Sequence, residues 1–326
     1  MIANNITDNK MFAHIDRVFG TRQPITADIF LTNYCNNNCP YCTYKRWEFD
    51  ADSRSMSYDD FVKYATILKE LGVLGFILTG GGEPTIAKDF IRITDWLETN
   101  KLHYGINTNF NKLVLVKPDY LKVSLDAYDE ASYVDNRGVA KYEVVRENII
   151  QYAEWKATNS PKTTLGIQML AKNMGDVYKF YEANKSLPVD YISIRPMEST
   201  CGSYYKNLVS SDAYADLLPE NIIKAINQLA SLDKRVIRSF KWDLLATQEE
   251  TCIAGWAQIA LNEIGEVMYC CHKPYQIIGH ITDSDILEKK SKAITDMSMC
   301  DIPCRMTAPN ALVKRMIAPQ TDVNFI

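Results

Sequence analysis

The chain has 326 residues, with 36 basic against 40 acidic for a formal charge of −4, and is 47% apolar and 23% charged. That length suggests about two domains and is enough to bury a sizeable core. The acidic balance without a long basic run argues against a nucleic-acid partner. No window approaches ~18 uninterrupted apolar residues, which argues against a membrane span.

Residues 1–20 lack an apolar signal-type core, so the expected location is cytoplasmic, and nine cysteines there point to metal binding before disulfides. Residues 1–24 read as an amphipathic extension. From residue 25 the pattern alternates strand and helix. Strands are expected over 25–32, 73–79, 103–107, 121–125, 163–170 and 190–195, and helices over 58–71, 89–100, 142–155 and 176–185. The first helix carries a cap signal, Ser57 with Asp60, and an apolar stripe of Phe61, Tyr64, Ala65 and Leu68. The crossover between 108 and 120 is too short for a full helix. Six strands with intervening helices predict an α/β fold, a parallel sheet curling into a partial (β/α)6 barrel of TIM-like type, over 25–203. Its functional face is the one at the strands' carboxyl ends.

Three thiols, Cys35, Cys39 and Cys42, follow the first strand with C-x3-C-x2-C spacing. One loop of this kind can wrap a metal centre, and thiolates are the ligands iron–sulfur clusters take. Three protein ligands on a four-iron cubane leave one iron open. A zinc knuckle or a disulfide loop is the plainer reading, but no nearby His or fourth Cys closes such a zinc site.

At these residues the sequence resembles the radical S-adenosylmethionine (SAM) enzymes. The resemblance implies a [4Fe–4S] cluster on Cys35, Cys39 and Cys42, with SAM chelated at the open iron and Tyr41 beside its adenine. The second strand ends in Gly80-Gly81-Gly82-Glu83-Pro84. In the family a Gly-Gly-Glu-Pro motif binds the methionine amino group, which implies roles for Gly81, Gly82, Glu83 and Pro84. The third strand ends Asn107-Thr108-Asn109, where the family often has Thr-Asn-Gly and this chain has Phe110. By resemblance Asn109, then Ser124 and Asp126 at the fourth strand's end, Gln168 on the fifth and Arg195 on the sixth contact SAM. A plain capped strand end or an ion pair would also explain these last residues.

Cys201 falls on the loop after the sixth strand. It is either a buried small residue or a hydrogen-atom donor to a substrate radical, as in some radical SAM epimerases. Residues 204–250 read as a helical bridge with a core stripe of Leu217, Ile222, Ile223, Ile226 and Leu229.

The distal cysteines are Cys252, Cys270, Cys271, Cys300 and Cys304. Segments 257–263 and 267–269 form a β-hairpin turning at Gly265, which can bring Cys252 and Cys270 together, with Cys300 and Cys304 closing the site around Pro303. A four-thiol zinc site fits that spacing too. The set resembles the SPASM and twitch extensions of radical SAM enzymes. That implies one auxiliary [4Fe–4S] cluster on Cys252, Cys270, Cys300 and Cys304, with Cys271 spare or exchanging with Cys270, in an auxiliary domain over 251–326 of β-hairpin-plus-helix type. His272 and His280 are expected to be ordinary core or surface residues.

The expected function is reductive cleavage of SAM and hydrogen abstraction from a small-molecule or peptide substrate. The auxiliary cluster takes an electron from the substrate radical for net oxidation, and a donor such as flavodoxin or ferredoxin supplies the electron that cleaves SAM. Epimerisation through Cys201 is the alternative outcome, and a non-catalytic iron–sulfur electron carrier the alternative of another class.

Overall fold

The computed structural model describes residues 13–42, 44, 54–200, 212–245, 250–297, 300–302 and 304–317. Cys201, Pro303 and residues 1–12 lie outside them.

The six expected strands form as β1 (Thr26–Phe30), β2 (Gly75–Thr79), β3 (His103–Thr108), β4 (Tyr120–Ser124), β5 (Thr164–Ala171) and β6 (Tyr191–Pro196). Each pairs in parallel with the next. Between them run α1 (Tyr58–Glu70), α2 (Phe90–Thr99), α3 (Glu130–Arg137), α4 (Tyr142–Asn159) and α5 (Met174–Asn184). No helix forms between β3 and β4, as the short crossover predicts.

The sheet is wider than the sequence suggests. After α6 (Pro219–Leu232), β7 (Val236–Arg238) adds in parallel to β6. At the other edge β8 (Gln258–Leu261) pairs in parallel with β1. Antiparallel β9 (Glu266–Met268) and β10 (Ile277–His280) complete a ten-stranded sheet ordered β10-β9-β8-β1-β2-β3-β4-β5-β6-β7. Helices α7 (Ile286–Lys292) and α8 (Thr307–Ile317) follow. The β8–β9 turn is made at Gly265, whose φ of +85° suits a residue without Cβ. Among the described residues no helix is long and apolar enough to cross a membrane.

Strand alternation sorts the residues into a core face and a lumen face. On β2 and β4, Phe76, Leu78, Leu121 and Val123 are buried, while Ile77, Lys122 and Ser124 are only half-buried. The buried set packs against the helices in one continuous core. Helix α1 contributes the stripe its sequence announces, Phe61, Tyr64, Ala65 and Leu68, and Ser57 caps it by accepting from the Asp60 amide at 3.1 Å. Burying one side chain such as Phe61 or Leu68 contributes ~1.5–3 kcal/mol.

The half-buried faces turn toward one another. Flat, adjacent strands ~4.8 Å apart would put β1 and β4 ~14 Å apart. Yet Arg305, ion-paired to Asp28 of β1, acts electrostatically on Lys122 of β4, as does Arg195 of β6. The sheet is therefore curled about a polar lumen, as a partial barrel requires.

Candidate metal and cofactor centre

The cysteine loop leaves the carboxyl end of β1 and is braced from two sides. Asn38 N–H donates to the Arg137 carbonyl (2.9 Å). Asn109 Nδ2 donates to Asn36 Oδ1 (2.7 Å) and Asn111 Nδ2 to Asn37 Oδ1 (2.5 Å). Cys35 Sγ accepts from the Asn37 amide (3.4 Å) and Cys39 Sγ from Arg137 Nη1 (3.6 Å). Gly138 ends α3 at φ +73°, and any Cβ there would strike the Asn38 backbone. The loop and the end of α3 thus fit only without a side chain at 138.

Asp126 is the hinge of this bracing. It is 2% exposed and accepts from Tyr41 OH (3.0 Å) and the Leu170 amide (2.7 Å), and it forms an ion pair with Arg137. The resemblance assigns Tyr41 and Asp126 to SAM. The structure brings them into contact with each other, with Asp126 clasping the loop's backing.

The Gly-Gly-Glu-Pro turn runs beside the loop, with Gly82 N–H donating to Thr32 O and Glu83 N–H to Tyr34 O, both at 2.9 Å. A Cβ on Gly82 would collide with the Tyr34 backbone, so glycine is what lets the two loops touch. Gly81 lies against Phe30, and Pro84 starts a short turn over 84–86. Glu83 is buried. Its carboxyl accepts from Thr85 N–H (3.1 Å), Thr85 OH (2.7 Å), Thr108 OH (2.6 Å) and Asn109 N–H (2.7 Å). Burial raises its pKa against the opposing pull of those bonds. Glu83 therefore ties the glycine turn to the end of β3.

Phe110 replaces the glycine common in the family and keeps glycine's backbone, at φ +59°. Its ring is fully buried, edge-on to Tyr152 at 5.9 Å, and its carbonyl accepts from Asn148 (2.8 Å). Packing and hydrogen bonding hold the strained conformation.

Gln168 and Arg195 meet across β5 and β6, Nη1 to Oε1 at 2.7 Å, and Ser124 sits opposite Gln168 in register. Arg195 also pairs with Glu198, which Lys241 approaches to 2.5 Å and His272 to 3.9 Å. Burial opposes ionisation of Glu198, but Lys241, Arg195 and His272 outweigh it and hold the carboxyl far below its usual range. Arg195 is thus a member of an interior charge network. Glu198, Lys241, Lys122 and Arg305 belong to it as well, and sequence reading did not single them out as site residues.

A second site lies under β8 and β9. Cys252, Cys270, Cys300 and Cys304 line one cavity with Tyr269, His272 and Met297. Cys271 is not in it. That thiol packs with Phe30, Ala260 and Met268 and lies 3.1 Å from Arg305 Nη2. His280 is a surface residue bonded to Ile264 O (3.0 Å). Burial pushes the Cys270 and Cys300 thiols up to about 12.

The donor sets fit iron–sulfur clusters. All eight described cysteines are free. Among the described residues no three His, Cys, Asp or Glu groups converge closely enough for one metal ion. Thiolates are the ligands iron–sulfur clusters take, and here four line one cavity and three lie on one loop.

This partial barrel with a thiol loop on its first strand and glycines on its second defines a class. Residues 29–181 match the Radical SAM superfamily. It is 28% identical over 176 residues to a probable GTP 3′,8-cyclase of Saccharolobus islandicus, covering 51% of this chain and 54% of that one. It is 24% identical over 272 residues to a PqqA peptide cyclase of Bradyrhizobium diazoefficiens, covering 78% and 68%. The chain spans about half the length of the first of these relatives. Its fold is similar to that of Streptococcus suis SuiB bound to the precursor peptide SuiA, with a TM-score of 0.62 at 15% identity, covering 87% of this chain and 68% of that one. It is also similar to anSMEcpe with bound AdoMet and the Cp18Cys peptide, with a TM-score of 0.56 at 16% identity, covering 87% and 86%.

Proposed function

We propose that this chain takes a hydrogen atom from a carbon of a peptide or small-molecule substrate and oxidises it. Cys35, Cys39 and Cys42 would hold a [4Fe–4S] cluster, and Cys252, Cys270, Cys300 and Cys304 a second. When bound, the first supplies the electron that splits SAM into methionine and a 5′-deoxyadenosyl radical, and the second a closed relay for the electron that substrate oxidation releases. An external donor such as flavodoxin or ferredoxin supplies reducing electrons. The chain's own contribution is aim and exclusion of water. Gly81 and Gly82 give SAM close access to backbone, Glu83 fixes that turn, and Asn109, Ser124 and Gln168 offer polar groups at the strand ends.

The observation that carries this reading is the bracing of the thiol loop by the Gly-Gly-Glu-Pro turn, Asn109 and the Asp126–Arg137 pair. A simple electron carrier needs no such bracing. The peptide class draws on the peptide-bound neighbours, and the small-molecule class on the nucleotide cyclases. We read residues 25–203 as the barrel, 204–250 as a bridge and 251–326 as the auxiliary unit, with β7, β8 and β9 extending the barrel sheet.

The test is anaerobic reconstitution of wild type and of a Cys35/Cys39/Cys42→Ala variant. About eight irons per chain should fall to about four. Reduced wild type should form 5′-deoxyadenosine from SAM, and the variant should not. Wild type that binds iron but never forms 5′-deoxyadenosine would return the chain to electron transfer. Solvent deuterium appearing at a substrate carbon would favour epimerisation over oxidation.

A further inference from the structure

The barrel lumen contains a cation to which the site described above gives no role. Lys122 lies in mid-β4, between Tyr120 and Ser124 on the inward face. Its neighbours in register are Asn107 on β3 and Gly166 on β5. The space above Gly166 is filled by the Tyr191 ring and that above Gly105 by the Tyr120 ring. Lys122 stands one inward position above Tyr120 on its strand and level in register with Gly166 and Tyr191, one inward position below the strand end at Ser124.

The charges around it do not balance. Lys122 feels Arg195, Arg305 and Lys241 as repelling cations and Glu198 as an attracting carboxylate. Glu198 is already shared by Arg195 and Lys241, and Asp28 by Arg305 and Gln258. Four cations therefore face two carboxylates. Among the described residues none gives Lys122 a hydrogen bond or an ion pair. Beside it Asn107 Oδ1 is buried without a partner, as are Asp28 Oδ1 and Arg305 Nε in the same network. Burial and then the neighbouring cations depress the ammonium to about 7.

A purely structural role is weak. A cation held inside the lumen without a counter-ion costs stability, and a Met of similar length would fill the position without that cost. Unsatisfied polar groups around one unpaired cation in a cleft mark a place awaiting a partner.

We propose that Lys122, with Asn107 and Ser124 beside it, binds an oxyanion of the substrate, a carboxylate or a phosphate, inside the barrel lumen. This rests on the reading that the lumen receives the substrate. Such a group brings the missing negative charge and anchors the substrate's far end below the face where the reacting carbon must lie. Glu198 holds Arg195 and Lys241 back, so that Lys122 is the open cation of the set.

The experiment uses the iron-reconstituted full chain without SAM. Sodium acetate and inorganic phosphate are titrated separately at ionic strength fixed with chloride, and binding is read from thermal unfolding. One of them should stabilise wild type saturably, acetate marking a carboxylate subsite and phosphate a phosphoryl subsite. Lys122→Met should weaken that anion at least tenfold, and Lys122→Arg should retain most of it. If Lys122→Met does not fold, Lys122→Gln serves in its place. Failure of both anions to act beyond chloride, or equal action on the neutral variant, overturns the proposal. A tenfold loss of SAM affinity in Lys122→Met would assign the cation to the cofactor's carboxylate and overturn it too. Formation of 5′-deoxyadenosine by wild type is measured apart, so failure of the radical SAM reading and failure of the anion subsite give different results.

Discussion

Arg137 forms a buried ion pair with Asp126, and its other terminal nitrogen reaches Cys39 Sγ at 3.6 Å. One guanidinium thus couples the end of β4 to the thiol loop. Planar, multi-donor geometry suits it to both partners, and lysine could not reproduce it.

Arg137→Met should therefore strand Asp126 in a buried site. Loss of one partner of such a pair costs ~3–5 kcal/mol. Denaturation midpoints should show this loss, and bound iron should fall toward about four per chain as the first loop loses its backing. Adding Asp126→Asn to that variant should recover part of the stability, because neither charge is then left alone.

Glu83→Ala should do its damage through the groups it abandons. The hydroxyls of Thr85 and Thr108 and the amide of Asn109 lose their acceptor, at ~1–3 kcal/mol for each buried group left unpaired. The glycine turn would come loose from β3. Equilibrium dialysis of SAM should show affinity reduced about tenfold or more, with Glu83→Gln in between.

Cys271 and Cys270 are adjacent in sequence but separate in space. Only Cys270 lines the four-thiol cavity. Cys270→Ala should lower iron toward about four per chain, and Cys271→Ala should leave it at about eight. Iron analysis with electron paramagnetic resonance decides between them.

The free energy of Lys122 carries a sign that can be measured. Its value falls from 10.5 to about 7 on folding. Between these limits the unfolded chain holds more protons, so stability rises with pH across that window, by at most ~1.4 kcal/mol per pH unit. Below about pH 7 the whole penalty is present. Urea unfolding at pH 6.5 and 8.5 should show Lys122→Met more stable than wild type, with the larger margin at pH 6.5.

Much of the barrel was legible because alternation and helical stripes are local signals. Ser57, Phe61 and Leu68 announce α1 without help from the rest of the fold. Helix α3 escaped because its few apolar residues, chiefly Tyr133 and Val134, give little periodicity. Its signal was the capping pair Asp129 and Ser132 with Gly138 closing the end. The pairing of β8 with β1 was not legible, because residues more than two hundred apart in sequence choose one another only through the tertiary fold. At the site, strand-end positions were legible and the side-chain pairings between them were not. Asp126 and Arg195 sit at strand ends as expected, but turn to Arg137 and Glu198. Lys122 could have been noticed as an ionisable residue at an inward position of an alternating strand.

Because β1 is clamped between β2 on one side and β8 on the other, the thiol loop and the distal four-cysteine cavity are keyed to a single ladder. The strand that carries one pairs with β8, and β8 pairs with β9, which precedes Cys270 of the other. Cutting the chain before β8 would strip that ladder and leave β1 a raw border of unpaired amides and carbonyls, prone to zip onto another molecule. The carboxyl-terminal strands thus cover an edge that the barrel would otherwise leave bare.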